Sequence, residues 1–170
     1  PGTTNAWFVY FTNGYVYYSN KPLINYVRCV SGPSMQALSF TDNGDGTVTD
    51  TATGLIWQKC SVGQTSSDCS GGSATQMNWS TALITCSGLS LAGRSWRLPN
   101  INELKTLIDT TKPSSPLIDA AFPNTVASYY WSSTTYAPNT TNAWNVNFSN
   151  GDVNLFNKSY NFYVRCVSGP

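Results

Sequence analysis

Histidine is missing from this sequence, and charged side chains are scarce. None of the 170 residues is histidine, and Asp, Glu, Lys and Arg together supply 10% of the chain, against about 25% in a typical domain. The commonest general base of enzymes is therefore unavailable, and no two carboxylates stand at a recognisable catalytic spacing. These absences favour a non-catalytic protein that needs no cofactor.

The sequence also has almost no net charge and no long apolar run. The formal charge is +1, so we expect no general attraction to nucleic acid or anionic lipid. No apolar run approaches the ~18 residues that a membrane helix needs, so membrane insertion is not expected. Polarity comes instead from Asn, Ser, Thr and Gly, which is typical of an extracellular, strand-rich module. If the protein is secreted, we expect its leader upstream of Pro1.

What the sequence does contain is a repeat of thirty residues. The segment TNAWFVYFTNGYVYYSNKPLINYVRCVSGP at 4–33 aligns without a gap with TNAWNVNFSNGDVNLFNKSYNFYVRCVSGP at 141–170, and nineteen of the thirty positions are identical. We call these segments the first copy and the second copy. Self-similarity of this kind marks tandem repetition. We therefore interpret residues 34–170 as one complete repeat unit and residues 1–33 as the tail hairpin of a preceding repeat.

The five cysteines favour disulfides over a zinc site, because no histidine and no C-x2-C pair accompanies them. Four of them lie in residues 34–170 and allow three pairings. Cys60 and Cys69 flank a loop rich in Gly, Ser and Thr, which favours a local bridge and leaves Cys86 to pair with Cys166. Cys29 is the counterpart of Cys166 in the first copy. We predict that it is free or bonded to another chain.

Each copy is predicted to form a β-hairpin, with Asn13-Gly14 as a two-residue type I′ turn in the first. Side chains two apart share a strand face, and one face is apolar in both copies. We call it the inner face and predict that it is core. In the first copy its residues are Trp7, Val9, Phe11, Val16 and Tyr18, and in the second they are Trp144, Val146, Phe148, Val153 and Leu155.

The opposite, outer face differs between the copies. Phe8, Tyr10, Tyr15 and Tyr17 are replaced by Asn145, Asn147, Asp152 and Asn154 in the second copy. A change of this kind predicts an outward orientation. Four aromatic rings are costly to leave in water, at ~25 cal/mol per Å2 of apolar surface. We therefore expect the first hairpin to use these rings as an interface with a neighbouring unit, the alternative being an exposed tyrosine-rich hairpin.

Two helices are predicted between the early and late strands. Apolar residues recur at helical spacing from Trp79 to Leu89, with Asn78 as N-cap and Gly88 as the stop. The second helix follows Pro99, where Asn100 and Glu103 have the spacing of a capping box. Strands on both sides of two helices predict an α+β fold.

Three stretches together resemble the Lcl-type C-terminal domain family. They are DNGDGTVTDTATGLIWQKC, GRSWRLPNINEL, and the late series YYWSSTTY, AWNVNFSNG and YVRCV, which cover about residues 40–167. The resemblance implies a bacterial surface or adhesin module. The element order, with a disulfide from the first helix to the last strand, is also similar to a C-type-lectin-like fold. The chain lacks the Glu-Pro-Asn and Gln-Pro-Asp triplets of sugar-binding lectins, so calcium-bridged sugar binding is not expected.

The candidate glycan site combines aromatic, amide and guanidinium groups. Tyr129 and Tyr136 lie near Asn145 and Asn147 in the sequence, and rings beside amides suit stacking on and hydrogen bonding to sugars. Arg94 could hold a sulfate or carboxylate, the alternative for the pair Arg94 and Arg97 being a structural bond to loop carbonyls or Glu103. Trp131 is predicted as core and Arg165 as a structural hydrogen-bond donor.

Asp42, Asp45 and Asp50 are weak candidates for calcium ligands in a glycine-rich turn. Asp, Asn and Gly are also favoured in turns for backbone reasons alone, and we favour that structural interpretation.

Two functions follow from these observations. The first is an extracellular, adhesin-like module of a tandem-repeat protein, which binds glycans or another surface ligand. The second is a structural subunit of a filament or array, which assembles through the aromatic hairpin of the first copy.

Overall fold

The computed structural model describes residues 4–32 and 38–169. The chain divides into two compact units, Pro1–Ala37 and Leu38–Pro170. The first unit is a hairpin with an irregular extension, and the second contains the helices and all remaining strands.

In the first unit, strands β1 (Asn5–Tyr10) and β2 (Tyr15–Asn20) pair antiparallel, with Val9 opposite Val16. Four residues connect them, so the predicted two-residue type I′ turn is wrong. That turn needs positive φ at both central residues, but of Asn13 and Gly14 only Gly14 has it, at 77°. The Asn13 side chain instead accepts a hydrogen bond from the Tyr15 N–H at 3.1 Å.

The second unit is mostly antiparallel sheet, with two short helices and two disulfides. Its elements in chain order are β3 (Phe40–Asp42), β4 (Thr47–Asp50), β5 (Ile56–Gln58), β6 (Gln64–Thr65), β7 (Gly71–Gly72), α1 (Trp79–Ser87), α2 (Ile101–Lys105), β8 (Tyr129–Thr135), β9 (Asn142–Asn147), β10 (Val153–Asn157) and β11 (Val167–Ser168).

The strands of the second unit form three groups. The order β11-β5-β4-β3 makes a four-stranded sheet, β9 lies between β8 and β10, and β6 pairs with β7. The predicted hairpin of the second copy is the pair β9 and β10, with Val146 opposite Val153. The last strand, β11, therefore returns to pair with β5, which ties the end of the chain to an early part of the second unit.

Both helices begin where the sequence predicts. Asn78 caps α1 by accepting a hydrogen bond from the Thr81 N–H at 3.0 Å, and Gly88 follows its last turn. Asn100 and Glu103 form a complete capping box at the start of α2. No helix among the described residues is long and apolar enough to cross a bilayer.

The core of the second unit forms where α1, the loop before α2 and the end of the chain meet. Trp131 is fully buried there, as predicted. The cluster contains Ala82, Cys86, Trp96, Leu98, Trp131, Ala143, Phe162, Val164 and Cys166. Cys60 bonds to Cys69 and Cys86 bonds to Cys166, which is the pairing that the loop spacing favours. The second bridge joins α1 to the end of the chain inside this core.

Candidate functional site

The end of the second copy is held on both sides by backbone hydrogen bonds. We call residues 163–167 the closing segment. On one side the Val62 N–H donates to the Val164 carbonyl at 2.9 Å. On the other, Arg97 and Val167 exchange two hydrogen bonds of 2.9 Å, and the Trp131 N–H donates to the Tyr163 carbonyl at 3.0 Å. The closing segment is mostly irregular, and only its last residue, Val167, belongs to β11.

Arg165 points into a buried pocket of oxygen acceptors. Its guanidinium donates to the backbone carbonyls of Gln58, at 2.9 Å, and Lys59, and to the Thr125 hydroxyl at 2.7 Å. The Phe122 ring lies 4.8 Å from its guanidinium carbon, which suits a cation–π contact. Its predicted role as a structural donor is confirmed.

Burial lowers the pKa of Arg165 to about 10, so the group is still protonated at neutral pH. No carboxylate within the described ranges forms an ion pair with it. Neutral oxygens and an aromatic ring therefore hold a buried charge, which makes the fit of this pocket demanding.

The same five residues in the first copy, Tyr26–Val30, are exposed. Val27 is 82% and Val30 97% exposed, whereas Val164 and Val167 are each 0% exposed. Arg28 and the free thiol of Cys29 are exposed as well. Of the described residues, none from Ile24 to Gly32 lies in a helix or strand.

The inner face of the first hairpin shows the same contrast. Val9 is 50% and Phe11 85% exposed, whereas their counterparts Val146 and Phe148 are 0% exposed. The prediction that the inner face is core therefore holds in the second copy at Val146, Phe148 and Val153, while Trp144 and Leu155 are half-buried. In the first copy it fails at Val9 and Phe11. Trp7 and Tyr18 remain in contact, with ring centroids 5.4 Å apart.

The outer face does not follow the prediction in the second copy. Asn145 and Asn147 are buried rather than outward. The Asn147 side chain accepts a hydrogen bond from the Ser149 N–H at 2.9 Å, so it stabilises its own hairpin loop. The Asn145 amide has no hydrogen-bond partner among the described atoms. The replacement of aromatic residues by amides predicted an outward orientation. That prediction is wrong for Asn145 and Asn147, because the sequence does not reveal what packs over a strand face.

The outer-face rings of the first copy pack on one another. Phe8 and Tyr17 have centroids 6.1 Å apart, and Tyr15 lies 5.4 Å from Tyr17 in an edge contact. These three side chains are half-buried, while Tyr10 is exposed. Their predicted role as an interface remains a prediction.

The candidate sugar-binding residues do not form one platform. Tyr129 is the first residue of β8 and Tyr136 directly follows its last. Seven positions correspond to about 20 Å along a strand. Tyr129 packs against Phe156 and Phe162, with centroids 5.1 Å away in both cases. Tyr136 packs on Trp144 instead, with centroids 5.7 Å apart.

The two arginines around Trp96 have different surroundings. Arg94 is exposed, and Arg97 forms two hydrogen bonds of 2.7 Å with the carboxylate of Glu103. The structural alternative is therefore confirmed for Arg97. Burial by itself would raise the pKa of Glu103, but the bonds from Arg97 and from the Asn100 N–H lower it below its ordinary value.

The three aspartates proposed as weak calcium ligands serve their own turns. Asp42 accepts from the Gly44 N–H, Asp45 from the Thr47 N–H and Asp50 from the Ala52 N–H, each at 3.0 Å. Asp42 also forms an ion pair of 2.6 Å with Lys59. Across the described part of the chain, no three metal-ligating side chains stand together. The geometry agrees with the structural interpretation of this turn.

One cleft lies in the irregular crossing between α2 and β8. It measures about 430 Å3, and Lys112, Asp119 and Asn124 contribute polar groups to its lining. Phe122 and Thr125 also line it, and both contact the buried Arg165. Sequence reasoning did not single out this cleft, because no periodicity or motif marks residues 110–128.

Residues 46–168 match the Lcl C-terminal domain. The chain belongs to the Lcl C-terminal domain family. No curated protein matches it significantly. Membership of the Lcl C-terminal domain family indicates a bacterial surface-associated domain, and two disulfides fit a secreted or surface protein. The family match spans the closing segment and the oxygen pocket around Arg165, so both belong to the domain itself.

Proposed function

We propose that this chain is a non-catalytic, extracellular module of a bacterial surface protein that works in series with neighbouring units of its own kind. One observation carries the proposal. The inner face of the first copy is exposed at Val9 and Phe11, although the same residues are fully buried in the second copy. Burying an exposed apolar surface of this kind against a partner stabilises the protein. The repeated sequence indicates that the partner is a similar unit.

The hairpin is the part of the chain through which units would contact. Its inner face offers Val9 and Phe11, and its outer face offers Tyr10 beside the packed rings of Phe8 and Tyr17. An open-ended contact between different surfaces generates a filament or array rather than a closed dimer. This arrangement supports the tandem-repeat and filament functions over a free monomer.

The experiment is to measure assembly by electron microscopy and light scattering. We expect purified chain to associate, and Val9→Ser with Phe11→Ser to return it to folded monomers. Tyr10→Ser with Tyr17→Ser tests the outer face in the same way. Ile84→Ser, which removes an exposed apolar side chain from α1, is the matched control and should leave assembly unchanged. Assembly that survives both hairpin variants would contradict the proposal.

The adhesin function is the second candidate, and the cleft beside residues 112–125 favours it. Lysine, aspartate and asparagine around a concave surface of about 430 Å3 suit a polar ligand such as a glycan. This location differs from the predicted set of Tyr129, Tyr136 and Arg94, so the two can be compared. The C-type-lectin-like fold that the resemblance implies belongs to this candidate and stays a prediction.

A glycan array with the intact chain tests the adhesin function. If the cleft binds, Lys112→Ala with Asn124→Ala should abolish the signal and Arg94→Ala with Tyr136→Ala should retain it. The reverse pattern would favour the site predicted from the sequence. Absence of binding to any neutral or anionic glycan would reject the adhesin function and leave the serial module.

A further inference from the structure

We infer that residues 21–32 complete a second domain in the way that residues 158–169 complete this one. We call the part of that domain that is equivalent to residues 38–140 a body. Arg28 then lies in the oxygen pocket of that body, and Cys29 forms a disulfide with its counterpart of Cys86. The inference rests on the proposed serial function and names the partner of the first copy. The partner of the first copy is thus a body of this same family, and a disulfide joins the two.

The first argument is that the two copies have identical residues at every position of the segment that enters the pocket. Tyr-Val-Arg-Cys-Val-Ser-Gly stands at 26–32 and again at 163–169. In the second copy this sequence places Arg165 among four oxygen acceptors, which are the carbonyls of Gln58 and Lys59 and the hydroxyls of Ser61 and Thr125. It also bonds Cys166 to Cys86. A guanidinium fork and a thiol one residue apart are a specific requirement, and Arg28-Cys29 reproduces it.

The second argument is the state of the first copy. Its two valines that match Val164 and Val167 are almost fully exposed, at 82% and 97%. Burying a valine side chain stabilises a fold relative to leaving the side chain in water. The backbone of the second copy is also bonded along both sides of the closing segment. The first copy therefore has unused apolar and hydrogen-bonding capacity of the kind that docking would satisfy.

Between residues 21–32 and their counterparts 158–169, the copies differ at one buried position, which constrains the partner. Phe162, whose ring lies 4.6 Å from that of Trp131, is replaced by Asn25. The body that accepts the first copy must therefore fill or hydrate the space that this ring occupies here. Arg28, Cys29 and the two valines are the same residues as in the second copy, so they require no change in the accepting body.

The disulfide step is a thiol–disulfide exchange. A small-molecule disulfide such as oxidised glutathione first forms a mixed disulfide with the acceptor cysteine and releases one thiol. The Cys29 thiolate then attacks the acceptor sulfur, the new sulfur–sulfur bond forms, and the second glutathione leaves as a thiolate. Two protein thiols are oxidised, and one oxidised glutathione is reduced to two thiols.

The test joins residues 34–140 directly ahead of Thr4 in the full chain. This junction reproduces the native one, because residue 140 precedes residue 141, the counterpart of Thr4. After oxidative refolding in a glutathione buffer, the disulfides are mapped by mass spectrometry. We expect Cys29 to bond the cysteine of the added body that corresponds to Cys86, with loss of Cys29 alkylation. Arg28→Ala should lower the yield of that bridge.

The matched control carries the sequence of residues 141–170 in place of residues 4–33, so that the added body receives its own closing segment. If the control forms its bridge while Cys29 stays alkylatable, the inference is overturned.

A second variant needs no added body. Ser159→Pro, Tyr160→Leu, Asn161→Ile and Phe162→Asn give the second copy the residues of the first ahead of the closing segment. Retention of the Cys86–Cys166 bridge and of protease resistance supports the inference, whereas a free Cys166 thiol overturns it.

The two proposals fail separately. If Cys29 bridges the added body but the chain does not assemble, the closing role stands and assembly through the hairpin is rejected. A chain that assembles with Cys29 free rejects the closing role and keeps the serial module.

Discussion

The first and second copies share nineteen of thirty residues, yet their surroundings differ at almost every shared apolar position. In the second copy the hairpin residues Val146 and Phe148 and the closing-segment residue Val164 are 0% exposed, and Arg165 is buried with them. In the first copy Val9, Phe11 and Val27 are exposed. The same residues thus form a core only when a helix-bearing body receives them.

The difference identifies what the repeated segment can do by itself. Both copies form the hairpin, and in both the glycine of the loop donates to the carbonyl before the loop, at 2.8 Å for Gly14 and 2.7 Å for Gly151. Neither copy can bury its inner face within thirty residues, because a lone two-stranded hairpin has no second layer. Local structure is encoded in the segment, and burial is supplied from outside it.

The largest expected effect is on the disulfide. Cys86→Ala with Cys166→Ala should lower the free energy of unfolding by about 4–5 kcal/mol, because the bridge closes a long loop, its two cysteines being 80 residues apart. Cys29→Ala should leave it unchanged, since that thiol is exposed. Urea unfolding followed by tryptophan fluorescence measures both. Equal destabilisation by the two variants would remove the contrast between the copies.

Arginine replacement should give the next largest difference. Arg165→Ala leaves the carbonyls of Gln58 and Lys59 without their donor inside the core, and we expect a loss of about 3 kcal/mol. Arg165→Lys should recover only part of it, because an ammonium cannot span the acceptors in a fork. Arg28→Ala is the matched control and should change the unfolding free energy by less than about 0.5 kcal/mol. A silent Arg165→Ala would show that the pocket contributes nothing to closure.

A smaller effect is expected for the shared valine. Val164→Ala removes buried methyl groups from the core cluster, at a cost of about 2 kcal/mol. Val27→Ala removes the same groups from an exposed side chain and should be neutral in the isolated chain. In the chain with the added body, the inference expects Val27→Ala to become destabilising. The measurement is the urea midpoint, which Val27→Ala should lower only in the chain with the added body.

The smallest effect is the pH dependence of the body that holds the second copy. The pKa of Glu103 is lowered in the folded state, so its contribution to stability is present above the ordinary value of 4.5 and is lost as pH falls through the folded value. We expect about 0.5–1 kcal/mol. Glu103→Gln should remove this part of the acid dependence in urea titrations between pH 7 and pH 3. An unchanged acid profile would mean that the pair with Arg97 is energetically silent.

Features that depend on neighbouring residues could be predicted from the sequence. The capping box of Asn100 and Glu103, the N-cap Asn78 and the local bridge from Cys60 to Cys69 all involve groups at most nine positions apart. The sequence alone also determined the repeat, the scarcity of charge and the family resemblance. These properties need no knowledge of which surfaces meet.

Only the tertiary structure decided which faces are covered. The acceptors of Arg165 lie 40 to 107 positions away in the chain, and the burial of Asn145 depends on what packs over its strand. The sequence could not separate an exposed Val27 from a buried Val164, because their neighbours in the chain on both sides are identical. Hydrophobic burial depends on the partner surface as much as on the residue, and here the fold supplies that surface to one copy alone.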